Sequence, residues 1–159
     1  EEILNHPDKY DISLCKEAFY DIAKKASIKT IEKYSSFLTK ESLLEILHRV
    51  NNGVNSLEIS NDTLISLMDK LELNSKDYID ISSALALEMI PDQRIKLFET
   101  LSDKKEEAMD AYLFTLFDLE MLSPADEILE NTQPDEYLNF KAYRALKECN
   151  KNYNIKLFV

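Results

Sequence analysis

The chain of 159 residues contains a single glycine, Gly53. Glycine is the residue that turns tight hairpins and closes helices in the left-handed conformation. A chain almost without it must close its helices on proline and polar caps, and has little with which to turn β-hairpins. Residue usage points the same way. Valine occurs three times and leucine more than twenty times, whereas strands favour β-branched side chains. The phosphate-cradling motifs G-x-G-x-x-G and G-x-x-x-x-G-K-[ST] and the G-x-S-x-G elbow are absent for want of glycine. An all-α fold is expected.

Helix punctuation is plentiful. Thr39 precedes a Leu43-Leu44-Ile46-Leu47 stripe that ends near Asn52-Gly53. Asp103 with Glu106 reads as an acidic capping box. Ser123-Pro124 reads as a cap followed by proline at the first helical position. Thr132, followed by Pro134, Asp135 and Glu136, places negative charge where a helix N-terminus favours it. These signals predict helices near 12–26, 28–38, 40–51, 62–72, 76–90, 93–101, 104–121, 124–131 and 134–149, roughly eight or nine in all. Residues 155–159 read as a frayed tail or a short extended segment.

A repeat runs through the second half. Leu64-Ile65-Ser66-Leu67-Met68-Asp69-Lys70-Leu71 aligns with Arg94-Ile95-Lys96-Leu97-Phe98-Glu99-Thr100-Leu101, thirty residues later. Ala125-Asp126-Glu127-Ile128-Leu129-Glu130-Asn131-Thr132 aligns again after thirty-one more. Leu87-Glu88-Met89-Ile90-Pro91 is echoed by Leu119-Glu120-Met121-Leu122-Ser123-Pro124. Residues 61–149 therefore read as three helical hairpins, with 1–60 holding N-terminal helices and a degenerate unit near 27–60, and 150–159 a C-terminal tail. Periods of this length signal stacked supersecondary units, because one hairpin cannot bury its apolar face alone. The helices 76–90 and 104–121 are apolar in nearly every direction, as a helix between two neighbours would be. An irregular bundle with a chance echo is the alternative.

On these residues, with Pro91 and Pro124 closing successive units, 61–149 resembles the tetratricopeptide-type α-solenoids. The resemblance implies a right-handed stack of antiparallel hairpins. The period of about 31 is shorter than the family's, which is about 34, and Ile79 and Tyr112 stand where the family has alanine.

Charge is unevenly distributed within a net of -11. Residues 1–50 carry 8 basic and 9 acidic groups, residues 51–136 carry 6 and 20, and residues 137–159 carry 5 and 1. The acidic middle repels nucleic acid and anionic lipid and suits a basic protein or peptide. The C-terminal hairpin combines the opposite sign with aromatics. Tyr137, Phe140, Lys141, Tyr143, Arg144 and Lys147 are the candidate partner-binding residues, because tyrosine and arginine dominate binding hot spots. That surface would dock an acidic partner or a second copy of the chain as a homodimer. The same basic residues also suit the polar cap that a terminal repeat needs.

Chemistry leaves no local signature. His6 lies in the turn Asn5-His6-Pro7-Asp8 and His48 on a helix, neither with a cysteine or a second histidine at ligand spacing. Asn51-Asn52-Gly53-Val54-Asn55 fails as a calcium loop, since the first and twelfth positions of that register are His48 and Ile59. The carboxylate pairs Glu106/Asp110 and Asp77/Asp80 share helix faces, but 30 acidic residues produce such pairs by accident. No metal or cofactor is expected. Cys15 and Cys149 read as two reduced thiols in a cytoplasmic protein, with a single bridge between the chain ends as the alternative. No apolar run approaches the ~20 residues that span a bilayer, so this segment is not expected to insert in a membrane.

The expectation is a single helical domain, part of a longer cytoplasmic or membrane-associated chain, since Glu1 stands at its start. Its role would be non-catalytic: protein–protein interaction or scaffolding. Alternatives are a small acidic chaperone like those of bacterial secretion systems, similar in size and pI, and an all-α enzyme working through a carboxylate pair.

Overall fold

The computed structural model describes residues 1–50 and 56–157, with side chains described through Cys149. Among the described residues the chain forms ten α-helices and no strand. They are α1 (Glu2–Asn5), α2 (Ile12–Ala23), α3 (Ile28–Lys33), α4 (Lys40–Leu47), α5 (Asn61–Met68), α6 (Ser75–Leu85), α7 (Pro91–Lys104), α8 (Met109–Asp118), α9 (Leu122–Glu130) and α10 (Leu138–Leu157). Val50 and Leu57 form an isolated parallel bridge, the Leu57 N–H donating to the Arg49 carbonyl at 2.8 Å. The chain groups into two compact units, Glu1–Tyr112 and Leu113–Val159, with the division inside α8. Among the described residues no helix is long and apolar enough to cross a membrane.

In the first unit α2 to α6 begin on polar side-chain caps, while α7 begins on Pro91 after Ile90. Asp11 accepts from the Leu14 N–H at α2, Ser27 from Thr30 at α3, and Ser60 from Thr63 at α5. Thr39 and Ser42 cap α4 reciprocally, as do Asn74 and Asp77 at α6. Each such cap contributes about 1 kcal/mol by satisfying an N–H that the helix leaves open. The helices then bury one stripe each. On α2 this is Cys15, Phe19 and Ala23, four residues apart, and on α4 it is Leu43, Ile46 and Leu47. Leu64, Met68, Tyr78, Leu85, Leu97, Phe98 and Leu101 continue the same core through α5, α6 and α7.

Two arginines are buried in this unit. Arg49, 8% exposed, donates through Nη1 to the Ala23 carbonyl and through Nη2 to the Ala26 carbonyl, both at 2.8 Å. Its fork thus satisfies acceptors left open where α2 ends. Burial lowers its pKa from the ordinary arginine value. Arg94 on α7 places Nε and Nη2 at 3.3 and 3.1 Å from the Ser82 hydroxyl on α6.

The second unit holds the end of α8, then α9 and α10. Leu113, Thr115, Leu116, Phe117, Ala125 and Leu129 are buried there. The turn after α8 is a Schellman closure. The Met121 N–H reaches the Leu116 carbonyl at 2.8 Å and the Glu120 N–H reaches Phe117 at 3.1 Å. This closure needs a left-handed residue, a place glycine usually takes. Here Glu120 adopts it, with φ 57°. Tyr137, just ahead of α10, is the other non-glycine residue with positive φ among the described residues, at 54°.

Several sequence expectations change. Asp103 lies inside α7, which runs to Lys104, so it caps nothing; the extended Lys105 makes the break instead. α9 starts at Leu122 after Met121, which puts Ser123 and Pro124 in its first turn. α10 starts at Leu138, because residues 133–136 close a turn with Glu136 accepting from the Gln133 N–H. It also continues through Leu157, where a tail was expected. α6 stops at Leu85, and Leu87, expected on its apolar surface, is 95% exposed. α1 was not anticipated: four residues carry too short a pattern to see. The loop Asn51-Asn52-Gly53-Val54-Asn55, with the only glycine, lies outside the described residues.

Candidate functional site

The second unit carries an aromatic groove of about 340 Å³, lined by Phe114, Phe117 and Asp118 of α8 and Asn139, Phe140 and Tyr143 of α10. Helical spacing creates each wall. Phe114 and Phe117 are three residues apart on one helix, and so are Phe140 and Tyr143, so each pair projects from one face. Phe117 is the floor, 5% exposed. Phe140 stacks on it with centroids 5.9 Å apart and rings 4° from parallel, while Tyr143 meets it edge-on at 5.5 Å and 86°. Offset stacks and T-shaped contacts of this kind add about 0.5–1.5 kcal/mol beyond burial, so the rings form a set wall.

The structure separates the six candidate residues of the C-terminal hairpin. Phe140 and Tyr143 line the groove. Lys147 lies beside it, its ammonium 5.3 Å from the centre of the Tyr143 ring. Arg144 faces α9, where Nε and Nη2 grip both oxygens of Asp126 at 2.8 and 3.0 Å while Nη1 reaches Glu148 at 3.0 Å. Hydrogen bonds to Asp126 and then Glu148 raise its pKa further. Lys141 donates to the Gln133 carbonyl at 2.8 Å. Tyr137 supplies the left-handed turn into α10 rather than a groove wall. Sequence reasoning missed Phe114, Phe117, Asp118 and Asn139. The signal available was the i, i+3 phenylalanine pair on α8, which reads equally well as core.

Of the two carboxylate pairs, Asp77 has side-chain contacts within the fold. Asp77 binds Lys40 at 2.8 Å and accepts from the Asn74 N–H at 2.9 Å, and these contacts hold its pKa below the ordinary carboxylate value. With Asp80 it edges a cleft of about 190 Å³ floored by leucines. Asp110 is half-buried in α8, and burial raises its pKa. Among the described residues no group of three or more His, Cys, Asp or Glu side chains could hold a metal ion. Both cysteines are free thiols, Cys15 buried and Cys149 exposed.

Comparison with known proteins finds no matching family model, curated protein or solved structure.

Proposed function

We propose that this chain is a non-catalytic protein-interaction domain, and that the aromatic groove of the second unit is where a partner peptide or helix docks. The groove carries the reading. Its walls are preset by ring contacts, so a partner would order little of the surface on binding. Its volume of about 340 Å³ suits one or two side chains better than a large cofactor, being at the low end of ligand pockets at about 300–1,000 Å³. Tyrosine and phenylalanine in a half-exposed depression are the residue types that anchor interfaces.

The repeat supports a scaffolding role for the remaining helices. Leu64 on α5, Arg94 on α7 and Ala125 on α9 hold corresponding places in the thirty-residue echo and all are buried; so are Met68, Phe98 and Leu129. The first ends of α5 and α7 are also tied, Asn61 donating to the Gln93 carbonyl at 3.2 Å and Gln93 to the Asn61 side chain at 3.1 Å. This supports stacking of like helices, as in an α-solenoid. Free thiols suit a reducing, cytoplasmic setting.

Selection of a random peptide library on the purified chain tests the reading. Enriched peptides should lose about tenfold or more in affinity for the Tyr143→Glu variant, which places a charge in the groove of an otherwise helical protein. A library that yields no groove-dependent binder refutes docking at this site.

A further inference from the structure

We propose that the groove's occupant is a second copy of this chain, whose turn between α6 and α7 inserts Leu87 and Ile90 against the rings; this rests on the docking reading above and names what is docked. Leu87, at 95%, is the most exposed large apolar side chain among the described residues, and Ile90 is 62% exposed. The turn that carries them is well defined. The Glu88 and Met89 N–H groups both reach the Leu85 carbonyl, at 3.2 and 2.9 Å, and Met89 is buried at 4% exposure. Pro91 then fixes the exit by opening α7. Two aliphatic side chains are thus held out in water as a hook that loses little further freedom on docking. The motif alone does not dictate this exposure, since Leu119 and Leu122, which echo Leu87 and Ile90, are half-buried.

Hook and groove match in size and polarity. A volume of about 340 Å³ takes one or two aliphatic side chains. Tyr143, 46% exposed, and the half-buried Phe114 and Phe140 offer apolar surface for them to cover.

Local charge agrees. Residues 86–93 carry two acids, Glu88 and Asp92, and no base. The α10 wall from Leu138 to Cys149 carries three bases and one acid. Arg144 holds Asp126 and Glu148, and Lys141 holds the Gln133 carbonyl, which leaves Lys147 beside the groove, 5.3 Å from the Tyr143 ring centre. Asp118 on the opposite wall is already engaged within its own chain. An acidic hook seated against α10 therefore meets Lys147. Each copy carries a net charge of -11. At ~0.15 M salt that repulsion is screened beyond about 8 Å, while a direct contact with Lys147 is kept.

The contact is heterologous, hook to groove, so each copy offers both halves. Two aliphatic side chains fall short of the ~1,000 Å² that a stable interface buries, so the pairing is weak, with a Kd of about 0.1 mM.

Sedimentation equilibrium from about 20 μM to 1 mM protein at ~0.15 M salt tests the proposal. The wild type should associate with the Kd given above. Leu87→Gln removes the hook at an exposed position and Tyr143→Glu blocks the groove, and each should weaken association about tenfold or more. Asn139→Glu, at an exposed rim position with no ring contact to lose, should act like Tyr143→Glu. An equal mixture of Leu87→Gln and Tyr143→Glu should pair again, because one supplies the groove and the other the hook. A wild type that stays monomeric at about 1 mM overturns the hook assignment and leaves docking to the library selection. Association unchanged in Leu87→Gln, or no pairing in the mixture, also overturns it, since the copies then meet through another surface.

Discussion

Replacing Glu120 with glycine should stabilise the protein, and the size of the gain follows from one dihedral. Glu120 closes α8 with φ 57°, and the Met121 and Glu120 N–H groups then reach Leu116 and Phe117. For an L-residue that conformation costs roughly 1–2 kcal/mol, because Cβ crowds the following carbonyl. Glycine removes the crowding but loses about 0.5–1 kcal/mol more chain entropy on folding. The difference is a net gain of about 0.5–1 kcal/mol, or about 1–4 °C in Tm for a chain of this size. Differential scanning calorimetry on the wild type, Glu120→Gly and Glu120→Ala measures it. Alanine keeps the crowded Cβ and removes only a carboxylate near a helix C-terminus, a change worth a few tenths of a kcal/mol. Glycine should therefore exceed alanine clearly. A glycine variant no more stable than the alanine variant would show that residue 120 is not held left-handed, and the Schellman closure would fall with it.

Arg49→Ala should destabilise the first unit by about 3 kcal/mol, since it leaves the Ala23 and Ala26 carbonyls without their charged donor; Arg49→Lys should recover only part, having no fork. Urea denaturation midpoints read both. Asp110→Asn should stabilise at neutral pH. The folded pKa of Asp110 is raised by burial, so its favourable protonated state is fully present below the unfolded carboxylate value and lost as pH rises through the folded value. The advantage of the variant over wild type should thus shrink to nothing in acid. Asp77→Asn should behave oppositely. Its folded pKa is lowered by Lys40 and the Asn74 N–H, so its contribution is present above the unfolded value and lost as pH falls through the folded one. Thermal melts from pH 3 to 8 separate the two, and parallel profiles would refute the assignments.

Most of the helical order was legible because it is decided within four residues. Thr39 and its apolar stripe predicted α4, and the cap is there with Ser42 as its reciprocal partner. The failures have the same origin. Asp103 and Glu106 satisfy the spacing of a capping box, but α7 already buries Leu97, Phe98 and Leu101, and extending it to Lys104 overrides the local signal. Ser123 lost its cap because α9 starts one residue before it. At Tyr137 the acidic start signal was read too early, since the turn at 133–136 comes first.

The candidate site was half legible. Phe140 and Tyr143 stood out as aromatics among lysines, and Arg144 and Lys147 were grouped with them by proximity in the chain. Helical geometry separates these residues, sending Arg144 to Asp126, 18 residues upstream, and leaving the rings to meet Phe117. No spacing rule anticipates either pairing.

The sequence by itself determined the class of structure. One glycine, few valines and a supply of Ser, Thr, Asp and Asn at helix starts specify helices through interactions local to each turn. Only the tertiary structure decided which residue would carry the left-handed closure in glycine's place, which basic residues would be consumed by neighbouring carboxylates, and which aromatics would meet across two helices. Those outcomes depend on packing between segments remote in the chain, where many pairings satisfy the same local pattern and shape selects among them.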